Sequence, residues 1–211
     1  SADGVHWEKL REKPVFLDGK EYDGPQGPAF WDEYRGEYHA YLRAWVTNNG
    51  EELYKLGSNS LAAAEKKGLK DVRDLALFNN EPKPKDLSQD MRVDPYGGVS
   101  AFRTVRHSTS HNFVNWSQPA LLEFDTHLSM DEQIYTNTIQ PYFRAPHIYI
   151  GLPKRFSPFR KKILNHPHMG ISDGGFMSSR DGTHWKLWRE AFIRPGLDQK
   201  NWLDRNTSPA C

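Results

Sequence analysis

Side chains in Glu37-Tyr-His-Ala-Tyr-Leu-Arg43 are set to alternate between two faces of an extended chain, and Pro28-Ala-Phe-Trp31 ahead of them is a second strand-like run. Asp32-Glu-Tyr-Arg-Gly36 lies between the two and has the composition of a turn, so residues 27–44 are predicted to form a β-hairpin. The plan returns at 136–155, where Thr138-Ile-Gln-Pro-Tyr-Phe143 and Ile148-Tyr-Ile-Gly-Leu152 flank a turn at Arg144-Ala-Pro-His147. Ala101–His107 and Gly175–Ser178 are predicted as further strands. The two hairpins are expected to occupy equivalent places in different sheets.

A short phrase, Ser-x-Asp/Asn-(Gly/Phe)-x-x-Trp, occurs three times and ends at Trp7, Trp116 and Trp185. Its Ser and Asp oxygens suit a tight turn that accepts backbone N–H groups, its Gly suits positive φ, and its Trp suits cover for a hairpin end. Asp3 and Asp181 therefore read as turn caps rather than catalysts. Strand-like apolar runs follow at Val15–Leu17, Leu121–Phe124 and Ala191–Ile193. Residues 48–94 interrupt the pattern; within them Ser60–Leu77 is rich in helix formers, and Glu81-Pro-Lys-Pro-Lys85 reads as an extended loop. A second, basic insertion covers 157–173. Tryptophan spacings of 109 and 69 residues fit blades of about 40–50 residues with insertions. The fold class expected is all-β: a partial five-bladed β-propeller of four-stranded antiparallel blades over 1–211, truncated at both ends, with an eight-stranded sandwich as the alternative.

Composition agrees with a turn-rich β protein: 13 % aromatic residues, 16 Gly and 14 Pro in 211 residues, with a mean hydropathy of −0.79. The balance of 28 basic and 27 acidic residues lacks the electrostatic footprint of a nucleic-acid or anionic-membrane partner. No run approaches the roughly 20 apolar residues of a spanning helix. Cys211 is the one cysteine, which excludes an intramolecular disulfide and a cysteine-based zinc site.

Gly27–Arg43, Tyr135-Thr-Asn-Thr-Ile-Gln-Pro-Tyr-Phe-Arg-Ala-Pro-His-Ile-Tyr-Ile-Gly151 and Glu190–Gly196 followed by Asn201-Trp202 together resemble a largely uncharacterised bacterial family similar to five-bladed β-propeller glycoside hydrolases. The resemblance covers most of the chain outside 48–94. It implies chains about twice this length, an oligosaccharide or polysaccharide partner held in an axial pocket, acids from the inner strands of different blades, and a secreted or periplasmic location.

Hydrolysis of a glycosidic bond needs two carboxyl groups across the bond, about 5–5.5 Å apart for retention and 6.5–9.5 Å for inversion. Asp23 and Glu132 each precede an inner-strand candidate, and Asp32 follows Trp31 at the hairpin turn; these are the catalytic candidates. The plainer readings are a turn-forming Asp-Gly pair for Asp23 and a turn cap for Asp32. Arg43, Arg103, Arg106, Arg144 and Arg155 lie in or beside strands, where a guanidinium wants a planar anionic partner: a carboxylate of the protein, or a uronate or sulfate of an acidic glycan. With Tyr135 and Asn137, the residues Arg43, Arg106 and Arg155 are the substrate-binding candidates. His166 and His168 have ligand-like spacing but no matching acids, so no metal is expected, and no phosphate loop or serine triad calls for a cofactor. A non-catalytic glycan-binding scaffold is the reading from a different class.

Overall fold

The computed structural model describes residues 3–12, 15, 27–47, 101–128, 132–157, 160 and 170–202. These build an all-β architecture of eleven strands, with a single 3-10 turn at Gln199–Asn201. The predicted helical insertion, 48–94, lies outside them.

One sheet is a four-stranded antiparallel meander of β1 (Ala29–Asp32), β2 (Glu37–Thr47), β3 (Ala101–Ser110) and β4 (Ala120–Leu121). The β1–β2 turn spans the residues the sequence marks: Gly36, at φ 70, donates its N–H to the Asp32 carbonyl. β2 and β3 are in register from Tyr38↔Ser110 to Thr47↔Ala101. Both faces of β2 are buried, with His39, Tyr41, Arg43 and Trp45 on one and Ala40, Ala44 and Val46 on the other.

The second sheet holds β5 (Glu123–Phe124), β6 (Gln133–Thr136), β7 (Ile139–Tyr142), β8 (Ala145–Gly151), β9 (Lys154–Ser157), β10 (Ile171–Ser179) and β11 (His184–Ile193). β6 with β7, and β8 with β9, are two bent strands of one long hairpin, because β7 pairs with β8 and β6 pairs with β9. The bends fall opposite each other, at Asn137-Thr138 and Leu152-Pro153. The Thr138 hydroxyl clamps them, donating to the Leu152 carbonyl at 2.6 Å and accepting its N–H at 3.2 Å. β10 follows the bend, pairing with β9 through its first half and with β8 through its second. β11 continues the meander, and β5 adds a short parallel strand at its edge. The bend curls this sheet. Ser157 and residues 171–173, predicted as insertion, are strand: Ser172 pairs with Phe156 and Asp173 with Arg155.

All three repeated phrases fold into one turn. The Oδ1 of Asp3, Asn112 and Asp181 each accepts two successive backbone N–H groups, and the indole N–H of Trp7, Trp116 and Trp185 returns to the carbonyl of Gly4, Phe113 and Gly182. Those three residues share positive φ, 75, 62 and 84. Their tryptophans differ in cover: Trp185 is 2 % exposed beneath Tyr41, whereas Trp7 is 77 % exposed. One hydrophobic cluster joins Tyr41, Val105 and Phe102 of the first sheet to Ile134, Ile139, Tyr149, Met177 and Leu187 of the second. A closed ring of five blades is not formed among the described residues.

Candidate functional site

Alternation along β6 and β9 sorts the candidate residues onto two faces. Ile134 pairs with Arg155, and Arg155 pairs with Asp173. Glu132, two residues before Ile134, shares their face, and a three-residue ionic group results. The Arg155 guanidinium grips Asp173 in two places, Nε to Oδ1 and Nη2 to Oδ2, both at 2.8 Å. Its Nη1 donates to Glu132 Oε1 at 3.0 Å and to the Arg189 carbonyl at 2.6 Å. Gly175 makes room for this side chain, since a Cβ there would stand 3.0 Å from Arg155 Cδ. The arginine side chain is only 8 % exposed, while Glu132 and Asp173 keep 28 % and 27 %. A buried guanidinium thus holds two carboxylates that solvent still reaches.

Gln133, Tyr135, Lys154 and Phe156 point the other way, toward the first sheet. Lys154 Nζ lies 4.6 Å from the Tyr135 ring centre, with Arg103 at 4.7 Å and Arg43 at 5.0 Å. Arg103 also covers Trp45 at 4.2 Å and donates to Gln133 Oε1 at 2.8 Å. Each such ring contact contributes about 0.5–2 kcal/mol, more as water is excluded. Glu132 with Arg155, and Tyr135 with Arg43, are therefore brought together as two pairs on opposite faces.

Asp32 belongs to a third cluster, at the junction of the sheets. It is 1 % exposed; Oδ1 accepts the Arg35 N–H at 3.0 Å, which fulfils the turn-cap reading, and Oδ2 accepts the Tyr149 hydroxyl proton. His39 and His107 complete the cluster, with Nδ1 of His39 2.8 Å from Nε2 of His107. Burial pushes the Tyr149 hydroxyl well above its ordinary range, helped by its bond to Asp32, and burial likewise raises Tyr41. Burial pushes His107 down to about 3 and lowers His39 against the pull of Glu37 and Asp32. Asn137 is buried at the bend, donating to the Tyr41 carbonyl and accepting from Ile139 N–H, both at 3.4 Å. Arg106 is buried mid-β3, between Leu42 and Leu121 in register. Asp23 lies outside the described residues. An open depression of about 420 Å³, lined by Val46, Phe102, Leu121, Phe124, Asp125 and His127 among others, includes none of the candidates.

Asp173 is the residue that sequence reasoning misses, because it falls in the segment 157–173 read as an insertion, whereas it is the third residue of β10. The signal available for His39 is its place on the same strand face as Tyr41 and Arg43, inside a hairpin buried on both sides.

No family model matches the chain, and no curated protein does. Among solved structures it is similar to an N-acetylgalactosamine deacetylase from F. plautii, determined in complex with blood group B trisaccharide, at 11 % identity and a TM-score of 0.45. The match covers 85 % of this chain and 33 % of that one, so the chain spans about a third of that enzyme's length. A likeness this distant leaves function to be argued from the residues.

Proposed function

We propose that the chain is part of a carbohydrate-active β-propeller whose two described sheets are two blades, and that it hydrolyses glycosidic bonds at Glu132 and Asp173. The observation that carries this reading is the pair of solvent-accessible carboxylates fixed on one buried guanidinium. We assign the pair the inverting reaction, in which one carboxyl protonates the departing glycosidic oxygen while the other takes a proton from the water that attacks the opposite face of the anomeric carbon. The old carbon–oxygen bond breaks as the new one forms. Glu132 is assigned proton delivery, since Oε2 has no partner among the described residues. Asp173, with both oxygens on the guanidinium, is assigned activation of the water. Arg155 is a positioning residue that holds both. The proposed substrate is an oligosaccharide or polysaccharide, and the proposed location is secreted or periplasmic.

Arg155, standing between the carboxylates, favours a second reading in which the group only binds saccharide. Glu132→Gln and Asp173→Asn, made singly in the full-length protein and assayed on a glycan panel with binding followed by calorimetry, separate the two. Hydrolysis predicts a fall in kcat of roughly 10²–10⁴-fold with binding kept. Wild-type turnover in both variants removes these residues from the mechanism, and binding without turnover in the wild-type protein supports the scaffold.

A further inference from the structure

A row of aromatic rings crosses one end of the first sheet, where the connection from β3 to β4 leaves it. Trp31 of β1 lies opposite Tyr38 of β2 in register, and their rings meet edge-on at 4.8 Å. Tyr38 meets Phe113 at 5.0 Å and Phe113 meets Trp116 at 5.4 Å, again edge-on. None of these rings belongs to the hydrophobic cluster that joins the two sheets. Trp31 is 45 % exposed, and Tyr38, Phe113 and Trp116 are half-buried.

Phe113 makes the row continuous at a conformational cost. It sits at φ 62, in the left-handed region where a bulky side chain is an outlier, at the position that Gly4 and Gly182 fill in the other copies of the turn. The turn itself needs only what glycine provides, since the paired N–H groups on the acceptor oxygen and the indole N–H bond recur around Gly4 and Gly182. The phenyl ring is therefore extra to the turn. What it adds is the link between Tyr38 and Trp116.

The charge of this connection selects the ligand. Ser108–Leu122 contains no Asp, Glu, Lys or Arg, in a chain where 26 % of residues are charged. Its polar groups are hydroxyl, amide and imidazole, and His111, Asn112, Asn115 and Gln118 are exposed. Such a surface has no cations for a phosphate backbone or an anionic headgroup. It complements an uncharged, hydroxyl-rich chain: the C–H face of a pyranose lies against the negative face of an aromatic ring, while its hydroxyls reach donors and acceptors at the rim. Successive spacings of about 5 Å along the row give room for a short oligosaccharide rather than a single sugar.

We infer that Trp31, Tyr38, Phe113 and Trp116 form a binding platform for a neutral glycan chain. The inference rests on the saccharide reading for its class of ligand alone and does not involve Glu132 or Asp173.

The test is retardation of the full-length wild-type protein, Phe113→Gly and Trp31→Ala in native gels containing xylan, mannan or β-glucan. Phe113→Gly installs the residue of the other two copies, so its unfolding midpoint is expected to equal or exceed the wild-type value. Binding to the polysaccharide that retards the wild-type protein most is expected to weaken about tenfold in each variant. Equal retardation of the wild-type protein and both variants overturns the platform and leaves the hydrolytic reading standing, because retardation needs no turnover. Wild-type protein that none of the three polysaccharides retards, or that only a polyuronate retards, also overturns it. Should Phe113→Gly unfold more readily than the wild-type protein, Trp31→Ala decides, and retardation of that variant equal to wild type overturns the proposal.

Discussion

Gly182 and Gly4 hold the same position in two copies of the turn, at φ 84 and 75, but their surroundings differ. A Cβ on Gly182 would stand 2.8 Å from the Tyr41 hydroxyl, whereas nothing lies within 4 Å of one on Gly4. Gly4→Ala is expected to cost about 1 kcal/mol, from backbone strain alone. Gly182→Ala adds displacement of Tyr41 from the junction, and about 2–4 kcal/mol is expected; denaturant unfolding of both variants checks the difference. Phe113 occupies this position in the third copy and keeps a side chain at φ 62, its ring edge-on to Tyr38 at 5.0 Å and to Trp116 at 5.4 Å. Asp181 shows why the turn's acid is a poor catalyst. Burial would raise its carboxyl, yet the N–H groups of His184 and Thr183, with the side chains of His184 and Ser179, outweigh burial and hold it far below the carboxylate range. Its contribution to stability is present above its ordinary 3.8 and is lost as pH falls below that value. At this scale the sequence was readable: Ser, Asp, Gly and Trp at fixed offsets name the donors and acceptors of the turn before any coordinates do.

Among the elements, β1, β2 and β3 follow from alternation and a turn-rich connector, and they stand where the pattern puts them. The bend in the long hairpin does not follow, because Tyr135-Thr-Asn-Thr-Ile139 carries neither Gly nor Pro. It depends on Thr138 at φ 41, opposite a proline in the partner strand. The same bend hid the acid partner of Arg155. Glu132 and Arg155 are each candidates from the sequence, but the register that joins them through β9 and β10 to Asp173 is a long-range pairing that local pattern does not encode. Element-level energetics are tested at Tyr149, whose hydroxyl supplies Asp32 with a donor from the other sheet. Tyr149→Phe leaves a carboxylate 1 % exposed with one donor fewer, and about 2–4 kcal/mol of stability is expected to go, read as a lowered unfolding midpoint.

Over the whole molecule, the first sheet turns one face of β2 and β3 toward the second. Along that face the Asp32, His39 and His107 cluster at one end gives way to the cations on Tyr135 at the other. The carboxylate group on Arg155 stands on the far face of β6 and β9, so closing the sheets and presenting the acids are separate tasks of one pair of strands. That division lets the sheet junction and the proposed saccharide site be tested independently. The central claim is that Glu132 and Asp173 meet a glycan, and a crystal structure of the full-length Glu132→Gln protein with a bound oligosaccharide tests it most directly. The account predicts a glycosidic oxygen within hydrogen-bond reach of the residue 132 side chain, with Asp173 across the same sugar ring. A saccharide seated elsewhere, with Arg155 and its two partners untouched, would contradict it.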